Sequence, residues 1–296
     1  MDKVCKALVF NGLVEVTAFD TTDLVREGAR IHGTSPVATV ALGKVLSIAS
    51  FMSNSLKNEG DRFSITIESE GPIGNIVVAS NGAMNVRGYV DNPKVDVPPL
   101  GNGKQNVKGA LKGGFLRVVK DLGLKEPYVG TSELVNGNVD EDFAWYFTKS
   151  EGIPTALAMA VNLDKNGECT SAGGIVIQPL PGCTEEILVI LEDISMNFVN
   201  IDKYVSAHDP HQIIDDNFGH FEIEYLEPQT PQYKCICNED YLKGVVRSIG
   251  RGECVNILME RGSIDIECHF CNKKYSFDKQ AVIDIWQDFD KKNKKK

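Results

Sequence analysis

Long apolar runs are missing from this sequence. No uninterrupted stretch approaches the roughly 20 residues that span a bilayer, so no membrane helix is predicted. The amino-terminal MDKVCKALVFNGLVEV holds one short apolar run and no small-residue cleavage pattern, which leads to the expectation of a cytoplasmic protein. Histidine is scarce, and His32, His208, His211, His220 and His269 make no HExxH pattern, so metal-assisted hydrolysis finds no support. His208 and His211 stand three apart beside Pro210 and read as solvated linker residues. The phosphate-binding spacings GxGxxG and GxxxxGK[ST] are also absent; GNGKQNVKG at residues 101–109 only imitates them and reads as a loop. The chain is therefore not expected to be an enzyme.

Positive charge is outnumbered along most of the length. The first 231 residues carry 18 Lys and Arg against 31 Asp and Glu, a formal charge of −13, whereas the stretch from Gln232 onward carries 13 against 10. A body this acidic repels phosphate backbones and argues against nucleic acid as a partner. The KKNKKK at residues 291–296 reads as a solvated basic tail.

What is present is ordinary globular material: 296 residues, 42% hydrophobic and 24% charged, enough for one large domain and a smaller one or two. Sheet signals dominate residues 1–182. Phe63, Ile65 and Ile67 alternate with polar residues, and Asn81-Gly82, Asn136-Gly137 and Asn166-Gly167 look like tight hairpin turns. A strong helix interrupts them, with Ser35 as N-cap, Pro36 at its first position, and Val37, Ala41, Val45, Ile48 and Met52 at helical spacing. It is apolar nearly all round, so it should be buried against the sheet. A second helix is expected from Asp140. Together these predict an α+β fold, a mainly antiparallel sheet domain with packed helices.

Residues 183–231 change character. Thr184 can cap a helix with Glu185 and Glu186 in its first turn and an apolar stripe of Ile187, Leu191, Ile194, Phe198 and Ile201. A short helix, a strand with Phe221, Ile223 and Tyr225 alternating, and a Pro-bounded linker follow. Two readings stand: an ordinary packed connection, or a metastable linker whose apolar faces can be uncovered.

The cysteines decide the rest. Cys235-x-Cys237 and Cys268-x-x-Cys271 are separated by thirty residues, each pair followed by a turn-forming asparagine, Asn238 or Asn272. Closely spaced cysteines on a turn place two sulfurs on one side of a tetrahedral ion, and two such turns complete a four-cysteine zinc site. His269 would be a fifth ligand and is set aside. Cys5, Cys169, Cys183 and Cys254 have no partner spacing and read as buried or incidental thiols. Residues 232–290 form a small zinc-binding domain on this reading, of a size whose folding depends on the metal. Two rivals remain: a zinc ribbon of a nucleic-acid-binding protein, and a thiol-disulfide oxidoreductase using CHFC.

KCICNEDYLKGVVRSIG with ERGSIDIECHFCNKKYSF closely resembles the bacterial 33 kDa chaperonin family, the redox-regulated heat-shock holdases. The likeness extends through TSPVATVALGK, VRGYVDNP, GFLRVVKDLG, DFAWYFTKSEGIPT and AGGIVIQPLPG, in that order, along nearly the whole chain. It implies an ATP-independent chaperone, zinc-bound and inactive when reduced. Oxidants together with unfolding conditions would form two disulfides, Cys235 to Cys237 and Cys268 to Cys271, release zinc, unfold the C-terminal module and linker, and in many members drive homodimerisation. Unfolding client proteins are the implied partners, with no membrane. Ile187, Leu191, Ile194 and Phe198 become candidates for a client-binding surface. Departures from the family pattern are Asn238, Glu239 and Asp240 after the first pair, Gly152 where Gln is usual, and Cys254, a potential fifth thiol inside the module.

Overall fold

The alternation that marks the amino terminus forms a hairpin of β1 (Lys3–Val9) and β2 (Val14–Asp20), in a computed structural model that describes residues 1–293. Two helices follow, α1 (Thr22–His32) and α2 (Pro36–Asn54). Pro36 starts α2 as expected, because its fixed φ suits the first turn. Ser35 stands at the N-cap in an extended conformation, but its hydroxyl donates to the Val95 carbonyl at 2.6 Å and makes no cap bond.

The next stretch is antiparallel: β3 (Arg62–Ser69), β4 (Ile76–Asn81), β5 (Asn85–Val90), the short α3 (Val107–Leu111), β6 (Gly114–Asp121) and β7 (Tyr128–Glu133). Then come α4 (Val139–Tyr146), one π-helical turn at Phe147–Glu151, and the hairpin of β8 (Ala156–Leu163) with β9 (Cys169–Pro179). Asn81-Gly82 joins β4 to β5 and Asn166-Gly167 joins β8 to β9, as their sequences suggest. Asn136-Gly137 does not make a hairpin. It leads from β7 into α4, with Gly137 at φ 72° supplying a left-handed turn. The buried Asp142 carboxylate accepts the Val135 N–H at 2.7 Å, and its pKa is raised by burial against the lowering effect of these backbone bonds.

The stripe from Ile187 to Ile201 is not one helix. It runs through α5 (Glu185–Ser195), a 3₁₀ turn at Met196–Asn200 and α6 (Ile201–Ala207). Ser195 turns its hydroxyl back to the Leu191 carbonyl at 2.6 Å, a bond that competes with the helical ladder where the helix tightens. α7 (Pro210–Phe218) opens with a capping box of Asp209 and Gln212. β10 (Ile223–Tyr225) and β11 (Gln232–Tyr233) end this part of the chain.

The chain divides into two compact units, Met1–Lys234 and the residues from Cys235 onward. Residues 183–231, with their three helices and β10, thus lie within the larger unit. Its strands form a five-stranded sheet in the order β10-β1-β2-β9-β8 and a six-stranded sheet in the order β11-β5-β4-β3-β6-β7. Every pairing is antiparallel except that of β11 with β5. α2 packs against strands of both sheets, and this explains a helix long and apolar enough to cross a membrane by composition alone. The five-stranded sheet is apolar on both faces. Val4, Phe19 and Val176 face α2, while the alternate residues Cys5, Ala18, Ile175 and Ile177 face outward. That outer face is covered by Leu191, Ile194, Phe198, Ile201, Ile213, Ile214 and Phe218.

The smaller unit comprises α8 (Glu239–Ile249), α9 (Arg251–Arg261), the hairpin of β12 (Ser263–Glu267) with β13 (Lys274–Asp278), and α10 (Lys279–Asn293). Its core gathers Leu242, Val246, Cys254, Ile264, Phe277, Val282 and Ile285. The expected tail at residues 291–296 has its final three lysines outside the described residues.

Candidate metal centre

The CHFC segment is the turn of the β12–β13 hairpin. Its closure is local: the Cys268 N–H donates to the Lys273 carbonyl at 2.9 Å, and the Cys271 and Asn272 N–H groups donate to the Cys268 carbonyl at 3.2 and 2.7 Å. Asn272 takes φ 57°, a conformation that asparagine tolerates better than most residues. The turn therefore holds Cys268 and Cys271 on one side. The other pair lies in the extended segment before α8, where Asn238 caps the helix by accepting the Tyr241 N–H at 2.8 Å. Glu239 and Asp240 occupy the first turn, where negative charge suits the helix dipole, and Lys243 pairs with both. The three residues that depart from the family pattern thus start the helix that anchors the first pair.

All four Sγ atoms lie within 4.8 Å of one another. Cys235 approaches Cys268 at 3.6 Å and Cys237 approaches Cys271 at 3.2 Å, so close contacts run across the two pairs. A tetrahedral zinc with Zn–S of about 2.3 Å sets its sulfurs about 3.8 Å apart. The donor set and its spacing fit that ion. His269 is exposed and stands outside the quartet.

A residue that sequence reasoning passed over completes the site. The Tyr275 hydroxyl, on β13, lies 3.4 Å from Cys237 Sγ and donates to the Cys237 carbonyl at 3.3 Å. Burial works against a thiolate at Cys237, but hydrogen bonds from Tyr275 and the neighbouring thiols outweigh it and draw the pKa down to about 7. Burial pushes Cys271 up to about 11 and raises Cys235 as well. One thiol of the quartet is thus drawn toward its thiolate form, with its neighbours donating hydrogen bonds to it. The remaining signal in the sequence was only an aromatic four residues past CHFC, which says nothing about a contact to Cys237.

The family model described as Hsp33 protein matches residues 2–278. The chain belongs to the Hsp33 family. Among Hsp33 relatives, the 33 kDa chaperonin of Ruminiclostridium cellulolyticum is 36% identical over 96% of this chain and 97% of its own length. That of Desulforamulus reducens is 36% identical over 99% of each chain. The crystal structure of the 33 kDa chaperonin of Thermotoga maritima, a heat shock protein 33 homologue, superposes with a TM-score of 0.86 at 32% identity and covers 96% of this chain and 97% of that one. Hsp33 is a chaperone family, which agrees with a chain read as a non-enzyme.

The other predicted residues fall elsewhere. Ile187, Leu191, Ile194 and Phe198 pack within the cover on the outer sheet face, with Leu191, Ile194 and Phe198 buried and Ile187 half-buried. Cys254 lies in the smaller core at 1% exposure, its Sγ 3.4 Å from the Val246 carbonyl.

Proposed function

We propose that this Hsp33-family chaperone is an ATP-independent, redox-regulated holdase of the cytoplasm, with Cys235, Cys237, Cys268 and Cys271 as both zinc ligands and redox switch. The observation that carries the reading is the quartet of sulfurs within 4.8 Å inside a unit with few buried apolar residues. Zinc bound there would supply on the order of 10 kcal/mol of folding free energy and hold four thiolates together.

Peroxide removes two electrons from a pair of thiols, forming one disulfide and two waters, so two equivalents convert the quartet to two disulfides. The pairing carried over from the family is Cys235 with Cys237 and Cys268 with Cys271. Disulfide sulfurs no longer offer the anionic lone pairs that hold a zinc ion, and the module loses its main support. Domains on this reading are residues 1–182 as the core, 183–231 as a detachable linker, and 232–290 as the switch. Release of residues 184–228 would uncover Ile187, Leu191, Ile194 and Phe198 together with the sheet face they cover, an apolar surface suited to unfolded clients. Such a surface also favours pairing of two activated copies. The acidic body leaves nucleic acid and anionic membranes out of the partner set.

Zinc release to a chromogenic chelator during peroxide treatment at raised temperature, followed beside light scattering of a thermally unfolding client, tests this. About one zinc should leave per chain as client aggregation becomes suppressed, and both changes should reverse with a thiol reductant. Zinc that leaves without any holdase activity defeats the reading.

A further inference from the structure

α7 closes over a thiol as well as over apolar surface. Cys5, on the outer face of β1, is 1% exposed, and its Sγ lies 3.3 Å from Nδ1 of His211 on α7. The Lys3 Nζ reaches the same nitrogen at 3.0 Å. An ammonium can only donate, so the lone pair of Nδ1 accepts and the ring sits as a neutral cap on the strand. Tyr225 of β10 backs that cap, with ring centroids 4.9 Å apart and its hydroxyl donating to Asp215 at 2.7 Å. Beyond the cap, Ile213, Ile214 and Phe218 seat the helix in the same cluster that contains Cys5.

Lys3 and Cys5 are two apart on one strand, so they share its outer face and stay together whatever α7 does. His211 travels with the helix. While α7 is seated, burial pushes the Cys5 thiol up to about 11 against the opposing pull of Lys3. When α7 lifts, water removes that penalty and the ammonium remains beside the sulfur, the setting of a reactive thiolate. With the helix seated, a cysteine only 1% exposed leaves no space for a substituent of peptide size.

We propose that Cys5 is a modification site gated by α7: it exchanges with small-molecule disulfides of the glutathione class once the helix lifts, and the adduct holds the helix off. The Cys5 thiolate attacks one sulfur of the disulfide, a new S–S bond forms as the old one breaks, and the departing thiolate takes a proton from water. The net change turns one thiol and one disulfide into a mixed disulfide and one free thiol, with no other oxidant. The inference rests on the reading that residues 184–228 detach, and it adds a latch to that event. Reversal would then need a thiol reductant at Cys5 in addition to repair of the zinc quartet.

The test uses full-length, reduced, zinc-loaded protein with oxidised glutathione as the probe and peptide mass mapping at Cys5. Ile214→Pro breaks α7 at a fully buried position without any oxidant, and Cys5 modification should accelerate about a hundredfold over wild type. Adding Lys3→Gln to that background should slow it about threefold. An Ile214→Pro chain whose Cys5 reacts no faster than wild type overturns the gate. Should that variant not fold, His211→Ala is compared with wild type in sub-denaturing urea, where about a tenfold acceleration is expected and an unchanged rate is equally fatal. For the latch, wild type capped in that urea and returned to buffer should keep fast amide exchange over residues 210–218 until dithiothreitol is added. A capped chain with full protection there overturns it. Peroxide treatment that leaves residues 184–228 protected would sink the proposed switch instead, and the Ile214→Pro comparison, which needs no peroxide, reads separately.

Discussion

The two units are stabilised in different ways. In the larger one a 19-residue helix lies between two sheets, and almost every side chain along it is buried, so apolar packing alone accounts for its order. In the smaller one the core of Leu242, Val246, Cys254, Ile264, Phe277, Val282 and Ile285 is slight, and the two cysteine pairs meet through their sulfurs and the Tyr275 hydroxyl. Folding in units of about 60 residues comes out near zero from burial and conformational entropy, so a metal held by the four sulfurs would decide the outcome there and not in the larger unit. A chain built this way can lose one unit and keep the other.

The largest expected effect sharpens that contrast. Chelation, or Cys268→Ser, should remove a contribution on the order of 10 kcal/mol from the smaller unit. Amide exchange over residues 239–285 should become fast while α2 and the strands around it keep their protection; a common loss across both units would erase the distinction. The reverse experiment is Ile48→Ala, at 0% exposure in α2, expected to cost about 2–5 kcal/mol of the larger unit's stability. Zinc affinity, measured by competition with a chromogenic chelator, should not move.

Acid offers a third way to separate the units. Protons and a zinc ion compete for the same sulfur lone pairs, so affinity must fall as pH falls. Cys237, drawn to about 7, gives up its proton readily, whereas Cys271, pushed up to about 11, must surrender one on binding. Between pH 8 and pH 6 the apparent affinity should drop on the order of tenfold per pH unit for each proton displaced. An affinity flat over that range would mean that thiolates are not the ligands. Smaller effects come last. Asp209→Ala removes the α7 capping box and should cost about 1 kcal/mol, read as faster exchange confined to residues 210–218. Tyr275→Phe removes the hydroxyl beside Cys237 and should weaken zinc binding by up to about tenfold with the melting of the larger unit unchanged.

Much of this was legible before any coordinates. Pro36 with a continuous apolar run marks a buried helix because those signals are local, and Cys-x-Cys with Cys-x-x-Cys marks a quartet because two turns suffice to gather four sulfurs. Residues whose role depends on distant partners were not. Asn136-Gly137 carries the letters of a hairpin, yet the left-handed glycine serves a strand-to-helix turn fixed by Asp142. The four-three rhythm from Ile187 to Ile201 is the same for one helix and for two joined by a 3₁₀ turn, since both keep the stripe against the sheet. His211 reads as a solvated linker histidine because Cys5 and Lys3 are more than two hundred residues away in sequence. Which sulfur of one pair meets which of the other is likewise hidden, because the spacing within each pair says nothing about the contacts across them.

The two-residue β11 has a mechanical consequence. It lies between the helices of residues 185–218 and Cys235, the first cysteine of the quartet, and it is the one parallel graft on an otherwise antiparallel sheet. Lys234 donates to the Val86 carbonyl at 3.0 Å, and the Tyr233 hydroxyl donates to the Gly88 carbonyl at 2.7 Å. A side chain at Gly28 would press within 3.3 Å of the Tyr233 ring, so the clearance there is already spent. Fraying that begins at Cys235 therefore meets a clamp two residues upstream. On the proposed redox reading, its grip would help set whether a brief oxidation stays a local event or runs back along the chain, in the manner of a fuse with a rated current.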